Sequence, residues 1–151
     1  MVAFLRDADF SKVFIKPSED GSIELPAALS DFPTPAKGST PIFQEGETGN
    51  EVGHWNNAEA AVSWEFTGAK PGEYEVLAEV SGLKDAKVFV EIGDQKLAAP
   101  LAGTKNYANY KIQNLGKIRI TQEGNQILAV KPDPTDWTAF NLRKVTLQPA
   151  K

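Results

Sequence analysis

Apolar and polar residues alternate with a period of two in segment after segment of this 151-residue chain. Val62, Trp64 and Phe66 lie on one face of such a segment. The alternation resumes from Tyr74 to Val80, after a proline and glycine turn at 70–73. A period of two indicates a β-strand with one buried face, and a proline–glycine turn reverses the chain. The two segments are therefore predicted to form a hairpin.

Further segments follow the same rule. Val88, Val90 and Ile92 are predicted to point inward, with a short return strand from Gln95 to Leu97 after a Gly-Asp turn. The segments 117–121 and 127–130 alternate on either side of a glycine-containing turn. They are predicted to form a second hairpin.

The ends of the chain are less regular. Leu142, Val145 and Leu147 carry the last apolar face, and its phase slips at Arg143-Lys144, which predicts a β-bulge. A short strand is expected from Ser22 to Leu25 and a helical turn from Ala27 to Leu29. Four prolines interrupt 26–50, which is predicted to be a long loop leading to the first core strand.

About eight strands spaced by roughly ten residues, with no helices between them, predict an all-β fold. Among such folds a jelly-roll β-sandwich is expected. The chain has no internal repeat and no second apolar core. We therefore expect one sandwich domain over 21–151, preceded by an N-terminal extension or edge strand over 1–20.

Charge and composition narrow the functional classes. Sixteen basic and twenty acidic side chains give a net charge of −4. Nucleic acids and anionic lipids favour basic surfaces, so neither is an expected partner. Because no apolar run approaches the ~20 residues that span a bilayer, a membrane protein is not expected either.

Enzymatic sites are hard to build from these residues. The chain has no cysteine, and its one histidine, His54, lies in a loop without a nucleophile-elbow pattern nearby. A three-histidine zinc site is therefore excluded, and no catalytic residue is predicted. His54 is expected to be a partly exposed loop residue.

The aromatic residues divide into two groups. Trp64, Phe66 and Tyr74 lie in phase with the strand cores and are predicted to pack there. The others lie out of phase, in loops rich in amide and acidic side chains: Trp55, Tyr107, Tyr110 and Trp137. Flat rings beside amides suit sugars, which stack through an apolar face and hydrogen-bond through hydroxyls. A protein interface, or burial of Trp55 and Tyr110 at the ends of the sandwich, would use the same rings.

Oxygen ligands for calcium exist in one loop. Asp133, Asp136 and Asn141 could contribute, although no series with EF-hand spacing is present. A structural calcium ion therefore stays an open option, and no metal site or other cofactor is predicted.

Six motifs stand in one order along the chain: Gly53-His54-Trp55, Val62-Ser63-Trp64-Glu65-Phe66, Pro71-Gly72-Glu73-Tyr74-Glu75-Val76, Thr104 to Tyr110, Leu115-Gly116-Lys117-Ile118, and Phe140-Asn141-Leu142 to Pro149. This order resembles galactose-binding-like β-sandwich modules of carbohydrate-binding families 6 and 35. It also resembles the C-terminal domains of bacterial α-L-fucosidases and sulfatases. The resemblance covers about residues 20–150.

The resemblance implies a sugar site in the loops at the sandwich edge. Family-6-like modules use two aromatic residues and an asparagine just before the last strand. By that likeness Tyr107 and Asn141 contact the sugar, and Trp55 is the facing ring. Trp137 and Asp136 join this set through the composition of their own loop. The family's calcium motif, Glu-x-Glu, is incomplete at residues 24–26.

The resemblance also implies a function. The chain is expected to be a noncatalytic carbohydrate-binding module, attached to a secreted or periplasmic bacterial glycan-degrading enzyme. Its expected partners are an oligo- or polysaccharide and a catalytic domain of the same parent chain. The alternative is a structural accessory domain that binds no sugar, since fold alone does not separate the two. A hydrolase is the third reading.

Overall fold

A computed structural model describes residues 15–46 and 49–150. These residues form strands at β1 (Ile23–Pro26), β2 (Ile42–Gly46), β3 (Gly49–Gly53), β4 (Val62–Phe66), β5 (Gly72–Gly82), β6 (Ala86–Ile92), β7 (Gln95–Leu101), β8 (Lys111–Ile120), β9 (Gln126–Pro132) and β10 (Phe140–Pro149).

The strands pair into two antiparallel sheets. One has the order β2-β3-β10-β5-β8, with β1 also paired to β10, and the other has the order β4-β9-β6-β7. Their inner faces enclose one apolar core. The predicted all-β jelly-roll β-sandwich is therefore confirmed.

The core consists of the side chains that the alternation assigned to it. Trp64 and Phe66 are fully buried, and Tyr74 is almost so. The Trp64 indole Nε1 donates a hydrogen bond of 2.7 Å to the Pro26 carbonyl. A buried N–H without a hydrogen-bond partner destabilises the folded state, so this bond allows the large Trp64 side chain to be buried in the core. The packing role predicted for the three in-phase aromatics is confirmed.

Both hairpins predicted around 70–73 and 122–126 are wrong. β4 pairs with β9, whereas β5 pairs with β10 and β8, so the chain crosses between sheets after β4. It crosses again between β8 and β9. The physical reason is that strands in either sheet bury one face in the same core. Two alternating segments joined by a turn therefore have the same sequence pattern whether they pair in one sheet or lie in different sheets.

Other local predictions are confirmed. β6 and β7 form the expected hairpin, although β7 continues to Leu101. β1 and a 3₁₀ turn at Ala27–Leu29 lie where they were expected. The register between β10 and β5 shifts between Leu142 and Lys144, which confirms the bulge.

The loop predicted over 26–50 is too long. β2 and the start of β3 lie inside that range and pair with each other. β2 is an edge strand whose Ile42 and Phe43 are both exposed, so no apolar alternation marks it. Of the predicted extension, residues 1–14 lie outside the described ones, and Ile15 forms a parallel bridge with Phe66.

The helices of the described residues were also compared with the length and apolarity that a membrane span requires. Within 15–46 and 49–150, no helix has the length and apolarity to cross a bilayer.

The two faces of β9 give a direct test of this architecture. Leu128 is fully buried, whereas its neighbour Ile127 is 58% exposed. We expect Leu128→Ala to lower the free energy of unfolding by about 2–5 kcal/mol, because it leaves a cavity in the core. Ile127→Ala, the matched control, should change it by about 0.5 kcal/mol. Urea unfolding measures both, and similar losses would contradict the described face of β9.

Candidate functional site

One cavity gathers side chains from four parts of the chain. It lies where the end of β3 meets the start of β10 and has a volume of about 250 Å³. The residues that line it come from β2, the segment after β3, the β7–β8 loop, and the end of the β9–β10 loop with the start of β10: Gln44, His54, Asn56, Tyr107, Ala139 and Asn141. Most of these groups are polar and uncharged, which suits a ligand with many hydroxyls.

Two of the predicted site residues meet in this cavity. Tyr107 is 38% exposed, and Asn141 is half-buried at the start of β10. The Tyr107 hydroxyl lies 3.4 Å from the Ala139 carbonyl oxygen, to which it donates. Ser81 on β5 donates a hydrogen bond of 2.8 Å to the Tyr107 carbonyl. The loop that carries the exposed ring is therefore tied to the large sheet.

Gly53, at the end of β3, makes room for two of the side chains that line the cavity. A Cβ at this position would overlap the side-chain oxygen of Gln44 and would lie 3.5 Å from Oδ1 of Asn141. Both amide oxygens therefore converge above the glycine. Gln44 was not predicted, because β2 itself was not recognised.

His54, the residue after Gly53, has a left-handed backbone conformation. His54 has a φ of 53°, which non-glycine residues rarely adopt, and its side chain is exposed beside the cavity. The expected exposed loop histidine is confirmed. The turn aims the chain so that Trp55 enters the core.

Trp55 requires a correction. Its ring is only 2% exposed, and its Nε1 donates a hydrogen bond of 2.8 Å to the Ala60 carbonyl. The ring of Trp137 lies against it, with centroids 5.0 Å apart. The prediction that Trp55 offers a facing ring to a sugar is therefore wrong, because neighbouring side chains cover it. Burial at the end of the sandwich, the alternative, is what the structure shows.

Trp137 and Asp136 lie outside the cavity lining. Trp137 is half-buried, packs on the core beside Phe140, and donates from Nε1 to the Trp55 carbonyl at 3.0 Å. The Asp136 carboxylate is exposed, 3.9 Å from the Lys87 ammonium. Trp137 therefore supports the loop that ends in Ala139. Sugar contact by these two residues stays a prediction.

A second cluster adjoins Asn141 on the large sheet. The Tyr110 hydroxyl donates a hydrogen bond of 2.6 Å to the Glu51 carboxylate. The Arg143 guanidinium lies 3.7 Å above the Tyr110 ring and 3.8 Å from Glu79. Such stacking of a cation on a ring holds the ring in place. The Tyr110 ring is half-buried and lies outside the apolar core, so the structure does not show it plugging the end of the sandwich. It makes instead a polar contact that the sequence did not reveal.

Known structures share this architecture. A family 35 carbohydrate-binding module from Clostridium thermocellum has a TM-score of 0.69 at 11% identity, and the match covers 85% of this chain and 98% of the module. The C-terminal CBM6 of LamC, from Zobellia galactanivorans, has a TM-score of 0.63 at 14% identity, with 84% and 98% covered. This chain has the β-sandwich fold of carbohydrate-binding modules.

Larger proteins contain the same sandwich. In the cycloisomaltooligosaccharide glucanotransferase of Paenibacillus sp., the match has a TM-score of 0.70 at 15% identity. It covers 89% of this chain but 19% of that protein. In the Podospora anserina GH26-CBM35 mannanase, this chain spans 28% of the length. No family model and no curated protein sequence matches this chain.

The suggested calcium ligands each have other contacts in this sandwich. Asp133 accepts hydrogen bonds from the Thr135 hydroxyl and amide, which lower the pKa of its carboxyl. Asp136 faces Lys87, and Asn141 lines the cavity. Among the described residues, no group of three His, Cys, Asp or Glu side chains could hold a metal ion.

Tyr110 predicts a change of stability at high pH. Burial first, and then the hydrogen bond to Glu51, raise the pKa of its hydroxyl above the ordinary 10.0. Folded protein therefore keeps this proton where unfolded protein loses it, so stability falls as pH rises above about 10. Burial raises the pKa of Tyr74 in the same direction. We expect Tyr110→Phe to remove part of the decline, measured by urea unfolding at about pH 8 and about pH 11. A decline identical to that of the unmodified chain would contradict the assignment.

Proposed function

We propose that this chain is a noncatalytic carbohydrate-binding module whose sugar site is the cavity between Tyr107 and Asn141. The observation that carries the proposal is the meeting of an exposed aromatic ring with converging amide side chains in one concave site. A sugar ring stacks its apolar face on an aromatic side chain, and its hydroxyls hydrogen-bond to amides.

The size of the cavity favours a small ligand. Sites for drug-sized molecules usually measure about 300–1,000 Å³. This cavity, at about 250 Å³, is smaller and suits one sugar ring or the end of a glycan chain. With a single stacked ring, affinity should be modest, with a Kd of roughly micromolar to millimolar.

We further propose that the module is an accessory domain of a secreted or periplasmic bacterial glycan-degrading enzyme. The support is that the same sandwich forms 19% of a glucanotransferase and 28% of a mannanase. A module of this kind holds an attached catalytic domain near its substrate and so raises the effective concentration.

The second candidate is a structural accessory domain without a sugar ligand. Ile42 is 52% exposed and Phe43 is 38% exposed, at consecutive positions of the edge strand β2 that point to opposite faces of the sheet. Exposed apolar residues on an edge strand favour contact with another domain. Under this reading the cavity beside β2 would remain without a ligand.

A glycan array decides between the two candidates. We expect the chain to retain at least one neutral oligosaccharide, and Tyr107→Ala and Asn141→Ala each to weaken it by about tenfold or more. Ile127→Ala and Asn125→Ala remove an exposed apolar and an exposed amide side chain elsewhere, and should bind normally. Calorimetry on the best ligand gives the affinities.

Two results would contradict the proposal. Absence of binding by the unmodified chain across a broad array would favour the structural domain. Binding that survives both Tyr107→Ala and Asn141→Ala would place the sugar elsewhere on the sandwich.

A further inference from the structure

A second cavity lies at the opposite end of the sandwich from the proposed sugar site. It has a volume of about 430 Å³ and is lined by the segment 17–21, the loop between β4 and β5 with the start of β5, and the end of β10. β10 runs from Asn141, which lines the sugar cavity, to Pro149, which lines this one. At about 3.3 Å for each strand residue, roughly 25 Å of β10 separates the two cavities.

Three proline rings line this cavity, one from each segment: Pro17, Pro71 and Pro149. Two glycines with left-handed backbones let the segments approach one another closely. A Cβ on Gly21 would lie 3.1 Å from the Pro149 ring, and a Cβ on Gly68 would lie 3.4 Å from the Pro17 ring. Proline side chains lose almost no conformational entropy when a ligand covers them. The wall is therefore apolar and already ordered.

Backbone hydrogen bonds hold the same segments in place. The Gly21 N–H donates to the Ser18 carbonyl at 2.9 Å and closes the first turn. The Ala150 N–H donates to the Glu73 carbonyl at 2.9 Å and ties the residue after β10 to the start of β5. A ligand would therefore enter a site whose backbone is already built.

The rim of the cavity is acidic. Glu19, Asp20 and Glu73 are exposed carboxylates, whereas Lys70 supplies the one ammonium among the described residues that line the cavity. The Glu73 carboxylate faces two cations of β8 at 3.8 Å and 4.0 Å, so its charge is shared. Ser22 holds the Asp20 carboxylate through hydrogen bonds of 3.0 Å and 2.7 Å. Glu19 and Asp20 therefore provide the negative charge that a ligand would meet.

An arginine side chain fits this combination of an apolar wall and an acidic rim. Its planar guanidinium pairs with carboxylates and is more weakly hydrated than an ammonium, and its stem can lie along apolar surface. Arginine is accordingly enriched at contacts between proteins. The complementary charge favours a basic polypeptide segment over a neutral sugar.

The position of the cavity favours a segment of the same polypeptide. Pro17 and Ala150 both line it, and they stand at the two ends of the described residues. A domain joined to either end would therefore be tethered beside the cavity. A short flexible linker gives a millimolar effective concentration, so a contact of only millimolar affinity is enough to hold a tethered segment.

We propose that this cavity docks a basic segment of an adjoining domain, which inserts an arginine side chain between the proline rings and against Glu19 and Asp20. A domain held here leaves the sugar cavity at the other end of β10 open to a glycan. The inference rests on the accessory role proposed above and is independent of sugar binding.

Titration with short peptides tests the site. The probe is the acetylated and amidated peptide Gly-Ser-Gly-Arg-Gly-Ser-Gly, and its control carries citrulline, a neutral isostere of arginine, at the same place. We expect the arginine peptide to shift the amide signals of Gly21, Gly68 and Gly72 in a ¹H–¹⁵N spectrum, with a millimolar Kd, and the control to bind about threefold more weakly or worse. Absence of these shifts up to about 10 mM peptide, or equal shifts with both peptides, would overturn the inference.

Charge variants test the rim. Glu19→Gln and Asp20→Asn should each weaken binding of the arginine peptide by about twofold to fivefold, because each removes an exposed ion pair. Lys70→Gln removes a like charge and should strengthen binding by about twofold. Glu59→Gln is the matched control, since this exposed carboxylate lines a different cavity, and it should leave binding unchanged. Equal weakening by the control would indicate attraction to the net charge of the chain and refute the site.

A fusion tests the tether. The same arginine peptide is joined after Lys151 through a flexible linker of about ten glycine and serine residues. The three glycine signals should then stand at their shifted positions without added peptide, and a citrulline version prepared by ligation should leave them unshifted. Unshifted signals in the arginine fusion would show that a tethered segment does not reach the cavity, and would overturn the inference.

The two proposed sites fail separately. Glu19→Gln should retain every sugar that the unmodified chain retains, because its side chain lines the other cavity. A chain that binds sugars but not the arginine peptide would keep the proposed sugar site and lose the docking site. Binding of the peptide without any sugar would do the reverse.

Discussion

The pairing of β10 is the constraint on which the fold and the site both depend. β10 pairs with β5 along one side and with β3 and β1 on the other. Its Leu142, Val145 and Leu147 are buried in the core. Strict alternation cannot bury both Leu142 and Val145, so one extra residue is needed between them. The bulge supplies it, and it leaves Arg143 on the outer face, where it holds the Tyr110 ring.

The sequence could predict which face of each strand is buried but not which strands pair. The alternate apolar residues of 62–66 and 74–80 were assigned correctly to the core, because burial depends on local alternation. Their predicted pairing failed, because partners are chosen by the whole set of strands closing around that core. The bulge was predictable for the opposite reason: a phase slip is itself a local signal. β2 left no such signal, because neither Ile42 nor Phe43 is buried.

The same distinction explains the site. Tyr107 and Asn141, which both line the cavity, could be predicted as site residues because each lies within one of the six ordered sequence motifs. Trp55 looked equally suitable, yet the covering ring of Trp137 comes from 82 residues further along the chain, and no local pattern reports that contact. Gln44 was missed together with its strand. Tyr110 did stand out as an aromatic residue out of phase, but its link to Glu51 joins residues 59 positions apart.

Three loops meet at the cavity, and hydrogen bonds tie each of them to another part of the sandwich. Thr104 exchanges hydrogen bonds with Gly82, and Ser81 holds the carbonyl of Tyr107, so the β7–β8 loop is fixed to β5. Trp137 joins the β9–β10 loop to the segment after β3. A site assembled in advance loses little conformational entropy when a ligand arrives. The proposed sugar site is small and has one exposed ring, so it would make few contacts with a ligand. Loops that are already held in place would spare such a site the free-energy cost of ordering them, which few contacts could not offset.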